Sequence, residues 1–200
     1  MSMGIGKMGF DPNGADSARP VGERPSLYAL VIYLPPPLGS FLDGLRLEMV
    51  PGCNPHAHVS VLPPRPLPLA PEAAIAESRR IVAGFPPLDI ELGQIEVFPH
   101  TEVIYISVEG GTEQLRRMHG ALNQGSLAFK EPFEYHPHVT LAQELEPGQA
   151  EPLLELATRR WREFPGSRSF RAERAVFVRN TQGRVWIDLA DGPLQAVPVG

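Results

Sequence analysis

The sequence predicts an α+β fold, a bilobal pseudo-twofold duplication in which two antiparallel sheets flank a central cleft and helices lie on the outside. Three observations lead there. Segments with strand-like alternation and segments of helical period follow one another as strand, helix and hairpin, and that order occurs twice. The tetrapeptide His58-Val59-Ser60-Val61 is answered by His138-Val139-Thr140-Leu141, positions 58 and 138 lying 80 residues apart. Val97-Phe98 is answered by Val176-Phe177, positions 97 and 176 lying 79 apart. A repeat of this length, with the same motif at equivalent places, brings two equivalent strands to one shared cleft.

Residues 1–24 carry repeated Gly, Pro, Asn and Asp with few apolar side chains, too little to offset the entropy of ordering, and predict a flexible tail. Residues 25–200 then form a single bilobal domain, with lobes drawn from about 25–110 and 111–200. Leu27 to Leu34 is rich in Tyr, Val, Ile and Leu and reads as a buried strand ended by Pro35, Pro36 and Pro37. A short helix over Ser40 to Glu48 follows, then a strand from Ala57 to Leu62 closed by Pro63 and Pro64. Pro71 opens a helix, where its missing N–H costs nothing, and Ile75, Ile81, Val82 and Phe85 recur at helical spacing. Residues 88–98 and 102–108 form a hairpin across Pro99 and His100.

In the second half a helix runs from Thr112 to Gln124, with Leu115, Met118 and Leu122 on one face and Gly125 as the stop. His138 to Gln143 is a strand. Leu153, Ala157, Trp161 and Phe164 mark an amphipathic helix with Pro152 near its first turn. Two strands, about 170–179 and 184–190, pair across Asn180 to Gly183.

Composition narrows the partners. A formal charge of −5 argues against a long nucleic acid, which needs a basic face, yet leaves room for one locally positive pocket that takes a short or terminal phosphate. The apolar run from Leu27 to Leu34 is far below the roughly 20 residues of a membrane-spanning helix. The N-terminal segment, with Lys7, Asp11, Asp16 and Arg19 among glycines and prolines, lacks a secretory core. A cytoplasmic monomer with no membrane partner is expected. The single cysteine, Cys53, permits no internal disulfide and reads as a small, partly buried apolar side chain.

The two motifs carry the chemistry. On a strand, side chains two apart share a face roughly 7 Å apart, so His58 looks the same way as Ser60 and His138 the same way as Thr140. Two imidazoles and two hydroxyls around one volume complement a phosphodiester. The hydroxyls can donate to non-bridging oxygens, where charge gathers as phosphorus becomes five-coordinate. With an ordinary pKa of about 6.5, one neutral and one protonated histidine can coexist near neutrality, one taking a proton from water and the other giving one to the departing oxygen. Such a cycle needs neither metal nor other cofactor.

At these residues the sequence resembles the two-histidine phosphoesterase superfamily of 2′-5′ RNA ligase-like proteins and cyclic phosphodiesterases. The resemblance rests on His58-Val59-Ser60-Val61 and on the run His136-Pro137-His138-Val139-Thr140-Leu141, and it covers roughly residues 26–190. It implies hydrolysis of 2′,3′-cyclic phosphates or of related 2′-5′ bonds, on a nucleotide or an RNA terminus. It also implies His58 and His138 as catalytic residues, Ser60 and Thr140 as phosphate-binding ones, and His138 as base with His58 as acid. Ser60 stands where threonine is commoner in that family.

Other readings of the same residues are open. His56 with His58 and His136 with His138 form His-x-His pairs that could ligate zinc in a metal-dependent hydrolase, although no Asp or Glu flanks them. A non-catalytic module that binds nucleotides or RNA ends would use the same cleft. His56 and His136 are expected at strand ends or the cleft rim, His119 as a packing residue and His100 as solvated. Arg65 is expected in an exposed proline loop, with phosphate contact a lesser possibility, and Phe98, Phe133 and Tyr135 in the core or at the cleft mouth.

Overall fold

The computed structural model describes residues 26–68, 70–180 and 185–195. The tail expected over 1–24 and most of the turn expected at Asn180 to Gly183 lie outside the described residues. Eight strands and four helices follow in the order β1 (Leu27–Tyr33), α1 (Leu38–Met49), β2 (His58–Arg65), α2 (Pro71–Val82), β3 (Leu88–Val97) and β4 (Ile104–Gly110). There follow α3 (Thr112–Leu122), β5 (His138–Ala142), α4 (Ala150–Glu163), β6 (Ser169–Ala172), β7 (Arg174–Asn180) and β8 (Trp186–Pro193). Two four-stranded antiparallel sheets result, ordered β2-β1-β7-β8 and β5-β4-β3-β6.

Position by position the two sheets correspond, β2 with β5, β1 with β4 and β7 with β3. Each sheet, however, takes strands from both halves of the chain. The halves are interleaved. Helices α2 and α3 pack on the first sheet, and α1 and α4 on the second.

Two expected boundaries shift, each for a local reason. The single strand expected over 170–179 is two strands that part at Glu173, β6 joining the second sheet and β7 the first. β2 runs through Pro63 and Pro64 to Arg65. A proline cannot donate to a ladder, but β2 is an edge strand with one neighbour and tolerates both.

The core forms where helical stripes meet the outer sheet faces. Leu38, Leu42, Leu45 and Met49 make the buried stripe of α1, and Leu115, Met118 and Leu122 that of α3. The start of α1 presses on β1's exit so closely that a Cβ on Gly39 would lie 2.1 Å from the Leu34 carbonyl oxygen, so only glycine fits there. On α4, Trp161 is 2% exposed, donates from Nε1 to the Gly93 carbonyl at 2.9 Å and stacks on Phe164. A smaller apolar cluster of Ala29, Val31, Val176 and Val178, bordered by Tyr33 and Trp186, lies apart from this core. Register puts it on the same face as His58 and Ser60, since Tyr33 pairs with His58 and Val31 with Ser60.

Candidate active site

Burial of the intervening residues decides where the motif side chains point. Val59, Val61 and Val139 are fully buried and Leu141 nearly so. Strand alternation therefore turns His58, Ser60, His138 and Thr140 to the other, half-exposed face. β2 and β5 are edge strands of different sheets and lie next to each other, so the two motifs meet. The ring of His58 feels the charge of His138.

Both imidazoles are held in the same way. Nδ1 of His58 lies 2.6 Å from the His56 carbonyl oxygen, and Nδ1 of His138 lies 2.7 Å from that of His136. A carbonyl only accepts, so each Nδ1 carries the hydrogen and each Nε2 is left to act, as an acceptor when the ring is neutral and as a donor when it is charged. Ser60 and Thr140 present their hydroxyls on the same face as the two rings.

Electrostatics favour neutral rings in the cleft. His58 is pushed down to about 4, chiefly by burial; the bond to His56 opposes this, and the charges of Arg46, His56 and His138 add to it. His138 is lowered too, again mainly by burial; the bond to the His136 carbonyl opposes this and the His136 charge adds to it. Both rings are half-exposed at their surfaces, and the protein packed around them disfavours the charged form.

Aromatic rings surround each motif histidine. Tyr33 stacks on His56 at 3.5 Å and meets His58 edge-on at 6.3 Å. On the other side Phe98 stacks on Tyr105 at 3.9 Å, and both stand edge-on to His136 and His138. Each tyrosine is tied to a carboxylate, Tyr33 to Asp188 and Tyr105 to Glu96. Burial and the carboxylate raise Tyr33 above the ordinary phenol range and Tyr105 to about 12, so neither is ionised near neutrality.

Tyr33 and Tyr105 escaped the sequence reading because their role comes from cross-strand register, Tyr33 opposite His58 and Tyr105 opposite Thr140. Arg65 is a correction. It is not in an exposed loop: it is 2% exposed and donates to the Pro63 and Leu127 carbonyls, to Asn123 and to Glu131. His119 is buried, as expected, and His100 exposed in its turn. Phe133 is 65% exposed and lies outside the core. Among the described residues no three His, Cys, Asp or Glu side chains are grouped as metal ligands.

Two interlocked antiparallel sheets, with paired His-x-Ser/Thr strands at their meeting edges, define a two-histidine protein of bilobal α+β architecture. The chain belongs to the 2′-5′ RNA ligase superfamily, whose family model matches residues 35–184. A protein of Geobacillus kaustophilus provisionally named a phosphoesterase is 30% identical over 127 residues, 59% of this chain and 69% of the relative. One of Oceanobacillus iheyensis, named likewise, is 33% identical over 73 residues, 36% of this chain and 42% of its own. Among solved structures, LigT of E. coli in its apo form superposes with a TM-score of 0.60 at 16% identity, covering 87% of this chain and all of LigT. TT0787 of Thermus thermophilus gives 0.59 at 19% identity, with 84% and 98% covered. These likenesses establish the fold.

Proposed function

We propose that this protein is a metal-independent phosphodiesterase that hydrolyses 2′,3′-cyclic phosphates or 2′-5′ bonds, on RNA ends or small nucleotides, by two-histidine general acid–base catalysis. The observation that supports it best is the matched clamp on the two rings, which leaves two Nε2 atoms as the working groups of one cleft. The fold relative LigT of E. coli has been solved in complex with 3′-AMP, at a TM-score of 0.61 to this chain, a ligand of the expected class.

In this reading Ser60 and Thr140 donate to the non-bridging oxygens. Nε2 of His138 removes a proton from water as the water oxygen bonds to phosphorus. The bond from phosphorus to the ribose oxygen breaks, and Nε2 of His58 delivers a proton to that oxygen. A ring that resists protonation is a strong acid once charged, and the phosphodiester's own negative charge favours that protonation on binding. Residues 25–200 act as one unit, because the reaction needs a strand from each sheet.

The test is a panel of 2′,3′-cyclic nucleotides with and without exhaustive chelation, run beside His58→Ala and His138→Ala. Turnover that survives chelation and falls in both variants is expected. Loss on chelation points to a metal hydrolase, and binding without turnover points to a binding module; either result overturns the proposal.

A further inference from the structure

The segment that leads into the second motif is bonded to the backbone of the first. Tyr135, three residues before His138, donates its hydroxyl to the Ser60 carbonyl at 2.8 Å. Its ring lies flat on His119, centroids 4.0 Å apart and planes 5° apart. Nδ1 of His119 donates to the next carbonyl of the same strand, that of Val61, at 2.9 Å. Nε2 of His119 and the guanidinium of Arg65 both face Glu131, four residues before Tyr135. Arg65 also donates to the Pro63 carbonyl at 3.0 Å. Three carbonyls of β2 thus receive side-chain donors, and the loop from Glu131 to Tyr135 is fastened to that strand.

These contacts are polar and partly or fully buried, which makes them directional and costly to leave half-made. His119 and Arg65 hold β2 from α3 and from within β2 itself. Among these contacts, Tyr135 alone bonds one motif's approach directly to the other motif's phosphate-holding residue. We infer that Tyr135 is a positioning residue, its hydroxyl bond to the Ser60 carbonyl setting the span between His58 and His138 across the cleft. The inference rests on the proposed function. Misplacing one proton-transfer group by a fraction of an ångström weakens the transition state more than the bound ground state, so the span governs kcat more than KM.

The test is Tyr135→Phe, which keeps the ring on His119 and removes one oxygen. With a 2′,3′-cyclic nucleotide, kcat is expected to fall about tenfold with KM within twofold, measured well below the melting temperature of both proteins. A second readout does not depend on turnover. NMR titration of the ring nitrogens of His58, which faces Arg46, His56 and His138, is expected to move by several tenths of a pH unit in the variant. A variant that titrates like the parent and keeps its kcat within twofold overturns the positioning role. A parent protein inert on every cyclic phosphate overturns the proposed function instead, and the titration still decides the span.

Discussion

Tyr33 donates its hydroxyl to Asp188 at 2.6 Å, reaching from β1 to β8 past the intervening β7. The same ring covers His56 and borders His58, so one side chain couples the far edge of the first sheet to its motif. The bond also engages one oxygen of a carboxylate on the motif-bearing face of that sheet.

Removing that hydroxyl with Tyr33→Phe takes the hydrogen-bond donor from the Asp188 carboxylate on the face proposed to receive an anion. KM for a cyclic nucleotide is expected to rise severalfold, with kcat within about twofold and the effect shrinking as salt is added. Adding Asp188→Asn to that variant should restore KM, and steady-state kinetics on the double-mutant cycle checks it.

Loss of the proposed acid–base groups should be more severe. His58→Ala and His138→Ala should each lower turnover by about 10²–10⁴ while leaving the far-ultraviolet spectrum unchanged. Ser60→Ala and Thr140→Ala should each lower kcat and raise the dissociation constant for inorganic phosphate, measured by titration calorimetry.

Stability should depend on pH through His58. Its folded pKa of about 4 lies below the unfolded value of about 6.5, so between these values the unfolded chain binds more protons. Stability therefore rises as pH climbs from about 4 to 6.5, as a penalty of up to about 3 kcal/mol for keeping His58 uncharged in the fold is lifted, and His138 acts in the same direction. Thermal melts between pH 4 and 7 should show this slope, flattened in His58→Gln.

Trp161→Ala tests the opposite side of the second sheet. It removes a ring packed on Phe41 and Phe164 and leaves the Gly93 carbonyl without its donor. A loss of about 3–5 kcal/mol in urea unfolding is expected.

Much of this was legible in the sequence because it is local. Alternation around His58 and His138, the helical stripe of Leu115, Met118 and Leu122, and the repeat offset name most elements and both motifs. What was not legible depends on partners distant in the chain. Nothing near residue 173 says that Phe170 and Phe177 enter different sheets, because both are simply apolar residues on short strands. Arg65 looks like a loop residue until Glu131 and Asn123 arrive to bury it. Tyr33 and Tyr105 look like ordinary strand aromatics until register sets them beside the motifs.

β6 and β7 belong to different sheets yet are separated by Glu173 alone. With one residue between them, any shift of one sheet against the other at this crossing has to be taken up by the backbone around Glu173 itself.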